Sequence, residues 1–132
     1  MAARILVGDD DPDILGLFEE ILSNAGFEVT AVTDGVALLR AFEGGSFDLV
    51  ITDMRMPNID GLAVLEGVKR LQPQTPVILV TGHSDYDEAD LRARGAAAHL
   101  HKPLRHLDEL TALVKAELQR CGGLIADGTT AT

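Results

Sequence analysis

Five short apolar runs, each followed by a stretch with helical spacing, constrain this chain more than any other feature. "RILVG" (4–8) is too short for a helix. Behind it Ile14, Leu17, Phe18, Ile21, Leu22 and Ala25 recur at the i, i+3/4, i+7 spacing of a one-sided helix. Pro12 stands near the start of that helix, where a missing N–H costs nothing, and Asn24-Ala25-Gly26 closes it. The unit then repeats. "FEVTAV" (27–32) reads as a strand, and Val36, Leu39 and Phe42 as a helix stopped by Gly44-Gly45. "FDLVIT" (47–52) is a strand, and Leu62, Leu65, Val68 and Leu71 mark a helix that ends before Pro73. "PVILVT" (76–81) is a strand, and a weaker helix covers 86–94 with Tyr86, Ala89 and Ala93 inward. "AAAHLH" (96–101) is poor in strand-forming residues and is assigned as a strand from its place in the alternation. Leu104, Leu107, Leu110, Val114 and Leu118 give the last helix.

Runs such as Ile5-Leu6-Val7, Leu49-Val50-Ile51 and Val77-Ile78-Leu79-Val80 are apolar on both faces. Strands of that kind lie in a parallel sheet covered by helices on either side. "FEVTAV" is more polar and suits an edge. The 132 residues fit one domain. With no Trp, one Tyr and four Phe, aliphatic side chains must fill most of its core. The segment "CGGLIADGTTAT" (121–132) lacks periodicity and reads as a flexible tail or the stub of a linker.

The formal charge is −10, and residues 1–60 carry 12 acids against 3 bases. That balance argues against a nucleic-acid-binding surface on this chain. One cysteine, Cys121, cannot form an internal disulfide, and the four His lack zinc-ligand spacing. His99 and His101 would share a strand face, but two imidazoles alone are a weak basis for a metal site. No signal peptide is visible, and no apolar run approaches the ~20 residues that cross a bilayer. A soluble, cytoplasmic chain is expected.

In an open parallel sheet, ligands bind outside the carboxyl ends of the strands. After the first strand come Asp9 and Asp10, and after the third Asp53. The fourth ends in Thr81, and the fifth is followed by Lys102. Each has a bland reading. Asp10 or Asp11 can cap the first helix, Thr81 can be a turn residue, Lys102 a solvated amine and Asp53 a loop acid. Together they place three carboxylates, a hydroxyl and an amine on one rim. Crowded carboxylates repel unless a cation joins them, and such oxygens suit Mg²⁺ or Mn²⁺. Lys102 can offset the remaining charge or meet an incoming anion.

"ILVGDDDPDI", "DLVITDMRMPNIDGL", "VILVTGHSD" and "HLHKPL", in that order, resemble the receiver domain of two-component response regulators, of the chemotaxis-regulator type. The resemblance covers about residues 3–120. It implies a flavodoxin-like, doubly wound five-stranded parallel sheet, (βα)5, with strand order 2-1-3-4-5. Asp53 resembles the phosphoacceptor that takes a phosphoryl group from a histidine kinase or phosphotransfer protein. Asp9 and Asp10 match the acidic pair that holds Mg²⁺, Asp10 being the more direct ligand, and the main-chain carbonyl of Arg55 supplies another oxygen. Lys102 contacts the phosphoryl oxygens, and Thr81 swings its hydroxyl to the phosphoryl group. Such a module is a switch rather than an enzyme, with at most slow autodephosphorylation. Its output goes to a downstream protein or to an output domain outside this sequence. Homodimerisation through the last two βα units is common in the family.

Four positions depart from or individualise that pattern. Gly8 replaces a usual aliphatic residue, which would loosen the first strand or let backbone approach the acid pair. His99 stands where Tyr or Phe is common; it is either a substitute rotor or a sign that output uses other contacts. Arg55 and His83 occupy the two variable positions that tune acyl-phosphate hydrolysis. Other functions are open to the same residues. A degenerate receiver would serve contacts only. A Mg²⁺-dependent phosphohydrolase would need a second acid two residues beyond Asp53, where Arg55 stands. A flavodoxin-type cofactor binder would meet repulsion from "DDDPD".

Overall fold

The computed structural model describes residues 2–82, 88–101 and 107–121. Five strands and five helices alternate: β1 (Arg4–Gly8), α1 (Pro12–Asn24), β2 (Glu28–Val32), α2 (Gly35–Gly44), β3 (Leu49–Asp53), α3 (Gly61–Leu71), β4 (Val77–Thr81), α4 (Glu88–Ala93), β5 (Ala98–His101) and α5 (Leu107–Cys121). The strands form one sheet in the order β2-β1-β3-β4-β5, and every neighbouring pair is parallel. The more polar β2 is at an edge, as its composition suggests.

The doubly apolar strands explain the layers. Ile5, Val7, Leu49, Ile51, Ile78 and Val80 face one core with Leu15, Phe18 and Leu22 of α1 and Leu110, Val114 and Leu118 of α5. Their neighbours Leu6, Val50, Val77 and Leu79 face the other core with α2, α3 and Leu91 of α4. Successive side chains of a strand point to opposite faces, so a run such as Val77-Ile78-Leu79-Val80 feeds both cores in turn.

Local chemistry sets the helix starts. Asp11, Asp34 and Asp60 are the N-caps of α1, α2 and α3, accepting from the backbone N–H of Asp13, Ala37 and Ala63. Pro12 opens α1, and Gly26 follows it at φ +97°, a conformation that favours glycine.

Four details differ from the periodic reading. In α4 Leu91 is buried, while Ala89 and Ala93 are exposed; the larger side chain takes the core position because it hides more apolar area. Tyr86 lies outside the described residues, as does Leu104. The fifth strand begins at Ala98, and Ala96 packs in the core before it. Leu71 completes the α3 periodicity yet is 46% exposed. Gly8 does not loosen β1: it pairs with Val32 and Thr52. A Cβ there would lie 2.6 Å from Leu38 Cδ1 and 3.4 Å from Met56 Sδ, so the glycine makes room for side chains of α2 and of the loop after β3.

Candidate functional site

Asp53 is the last residue of β3, at the carboxyl edge of the central part of the sheet. It pairs in register with Val80, so Thr81 stands one position further along the neighbouring strand. Asp9 follows β1, on the other side of β3, and its N–H donates to the Val32 carbonyl at 3.2 Å. Sheet pairing on both sides thus carries Asp9, Asp53 and Thr81 to one rim. All three are buried, and Asp53 is only 6% exposed. Asp10 is exposed.

One carboxylate oxygen from each of Asp9, Asp10 and Asp53 lies within 4.8 Å of the other two. Among the described residues this is the one grouping of three or more acidic, His or Cys ligands on that scale. Three like charges at this separation repel, more strongly where burial lowers the local dielectric. The donor set answers the repulsion: hard carboxylate oxygens suit a hard divalent cation. Two oxygens bound to one Mg²⁺ are at most about 4.2 Å apart, so small side-chain rotations or an intervening water bring this set into range.

The acids are held by their surroundings. The Asp11 N–H donates to Asp9 Oδ1 at 2.9 Å, so the residue that caps α1 also orients Asp9. The Met54 N–H donates to the Val80 carbonyl at 2.9 Å, extending the β3–β4 ladder past Asp53. The Gly61 N–H donates to the Met54 carbonyl at 2.9 Å, which closes the loop 54–60 onto its own base. A Cβ at Gly61 would stand 2.6 Å from the Asp53 carbonyl oxygen and 2.8 Å from Met54 Cα. Thr52 Oγ1, itself buried, donates to the Asp53 carbonyl at 3.1 Å.

Arg55 is exposed on the same loop. His99 is half-buried on β5, in register with Leu79. Lys102 and His83 lie outside the described residues. Asp11, Thr52 and Gly61 support the site without being flagged by the chemistry of their side chains. Asp11 and Thr52 act through hydrogen bonds to main chain or neighbouring acid. A glycine opening a helix directly after its Asp cap was the one visible signal for Gly61.

The sheet is doubly wound and carries an acidic cluster at its carboxyl edge, and comparison with known proteins narrows its class. The family model of the response regulator receiver domain matches residues 5–115. The DNA-binding transcriptional regulator NtrC of Escherichia coli is 39% identical over 112 residues, 84% of this chain and 24% of NtrC. A response regulator receiver domain from Clostridium thermocellum superposes with a TM-score of 0.82 at 36% identity, covering 89% of this chain and 95% of that one. TrrA of Thermotoga maritima, solved in complex with Mg(2+)-BeF, gives a TM-score of 0.80 at 36% identity and covers 87% of this chain and 98% of that one. The chain belongs to the response regulator receiver domain family. It spans about a quarter of the length of NtrC.

Proposed function

We propose that this receiver domain is a phosphorylation-controlled switch in which Asp53 accepts the phosphoryl group. The observation that carries the reading is the gathering of Asp9, Asp10 and Asp53 within 4.8 Å at the carboxyl edge of the sheet. Asp9, Asp10, Asp53 and the main-chain carbonyl of Arg55 would hold Mg²⁺. When bound, the cation supplies neutralising charge for an anionic group brought among carboxylates.

The chain's own residues do the rest. An ionised Asp53 is already a nucleophile, and phosphoryl transfer needs alignment and charge compensation more than covalent activation. A carboxylate oxygen of Asp53 attacks phosphorus, the P–N bond of a phosphohistidine breaks, and its electron pair returns to the imidazole, which takes up a proton. The product is an acyl phosphate. β3 fixes the direction of attack because Asp53 is inside the strand ladder. The Thr81 hydroxyl, one position further along the adjacent strand, donates to a phosphoryl oxygen, and the Lys102 ammonium supplies a second positive contact. Arg55 and His83 govern access of water to the acyl phosphate, and His99 takes part in, or stands aside from, the signal that leaves Thr81. The donor is a histidine kinase or phosphotransfer protein. The output is a partner protein or an attached domain, and dimerisation through the last two βα units is one form it can take. The domain itself, taken as 3–120, works in the cytoplasm without contacting nucleic acid or membrane.

Incubation with acetyl phosphate and Mg²⁺, followed by intact-protein mass spectrometry, tests the reading. The parent chain should gain one phosphoryl group, which EDTA or Asp53→Asn abolishes. The same gain in the Asp53→Asn protein would overturn the assignment. No gain in a chain whose melting responds to Mg²⁺ would point to a receiver that needs its own kinase; no gain and no response to Mg²⁺ would favour a contact-only receiver.

A further inference from the structure

On the face of the sheet away from α1 and α5, α2 and α3 pack side by side. Gly67 allows that approach: a Cβ there would lie 2.8 Å from Leu39 Cδ2. Along the seam the two helices leave an open groove of about 380 Å³. Its apolar walls are Val36 and Leu39 of α2, Ile59 of the β3–α3 loop and Leu71 of α3. Leu71 is the one exposed large hydrophobic residue among the described residues. An isolated exposed leucine is ordinary; here it continues an apolar wall.

The charge on the rim is unusual for this molecule. Arg40 and Arg70 line the groove from its two helices. Among the described residues neither makes a hydrogen bond, ion pair or ring contact, although Glu43 stands one turn from Arg40 on the same rim. By contrast, Arg4 is engaged by Glu28, Ser46 and Phe47, and Lys69 by the carbonyls of Pro73 and Thr75. The groove therefore offers two guanidiniums against one carboxylate, Glu43, beside an apolar trough, on a chain of formal charge −10.

We propose that the groove between α2 and α3 docks an acidic amphipathic helix from a partner protein. Apolar side chains at helical spacing would enter between Leu39 and Leu71, and flanking carboxylates would meet Arg40 and Arg70. A helix laid in a groove reads its partner through such i, i+3/4, i+7 anchors, and guanidiniums bind carboxylates through paired N–H donors. The apolar walls disfavour nucleic acid, and a second copy is an outcome that the test below separates. The inference does not depend on phosphoryl chemistry at Asp53.

A display library of random helix-forming peptides, panned on the full chain and counter-selected on the Arg40→Glu/Arg70→Glu double variant, tests it. Recovered peptides should be net acidic with apolar residues at helical spacing. Synthetic copies should bind the double variant at least tenfold more weakly and lose affinity as salt is raised. Both positions are exposed, and an unchanged melting temperature would show that the double variant is folded. Failure to recover peptides that distinguish the two baits, or recovery of neutral or basic ones, would overturn the proposal. Self-association of the parent chain that disappears in the double variant would also overturn it, by assigning the groove to a second copy.

Discussion

Asp9 and Asp10 are neighbours with opposite environments, one fully buried and the other exposed, and that contrast makes Asp10 the informative residue to change. Without divalent cation, Asp10→Asn removes one of three mutually repelling charges. We expect its melting temperature in EDTA to exceed the parent's by about 2–4 °C, the shift that ~1 kcal/mol gives a domain of this size. Added Mg²⁺ should stabilise the parent more than the variant; calorimetry with and without the metal checks both. Gly61→Ala acts from the other side. Its Cβ would press on main-chain atoms of Asp53 and Met54, which cannot turn aside as a side-chain tip can. A cost of about 1–3 kcal/mol is expected from overpacking, measured by urea denaturation, with slower phosphorylation alongside. The gathering of the acids was legible in the sequence because three carboxylates follow strands whose carboxyl ends share one rim, although each alone reads as a cap or loop acid. Gly61 and Thr52 were hardly legible, because their roles exist only once the loop after β3 folds back onto Asp53.

At the scale of elements, the alternation of short apolar runs and one-sided helical spacings carried nearly all of the fold, including the edge position of β2. It failed where a pattern offered competing inward residues. α4 is a six-residue helix, too short for periodicity to define a face, so alanines were chosen over Leu91. The caps yield the clearest test. Asp60→Ala leaves the Ala63 N–H, bonded at 2.9 Å, without its acceptor and should cost about 1 kcal/mol. Gly16 lies within α1 with nothing within 4 Å of a Cβ. Gly16→Ala should therefore stabilise by about 0.5–1 kcal/mol. Chemical denaturation of the two variants should move in opposite directions.

For the molecule as a whole, charge is the dominant surface property. A formal charge of −10 opposes compaction, so salt should raise the melting temperature by screening. If the acidic cluster holds Mg²⁺ as proposed, Mg²⁺ should raise it further than NaCl at equal ionic strength, through about 2.7 kcal/mol of added stability at a hundredfold excess over Kd, because only the folded sheet assembles that cluster. An equal response to both salts would remove the specific cation site from the account. The central claim, that the sheet aims Asp53 as the phosphoacceptor, is met most directly by locating the phosphoryl group. Borohydride reduces an acyl phosphate to the alcohol, so phosphorylated protein treated in this way should yield homoserine at position 53 in peptide mass spectrometry. Homoserine at Asp9, Asp10 or any other acid, with position 53 unchanged, would contradict it.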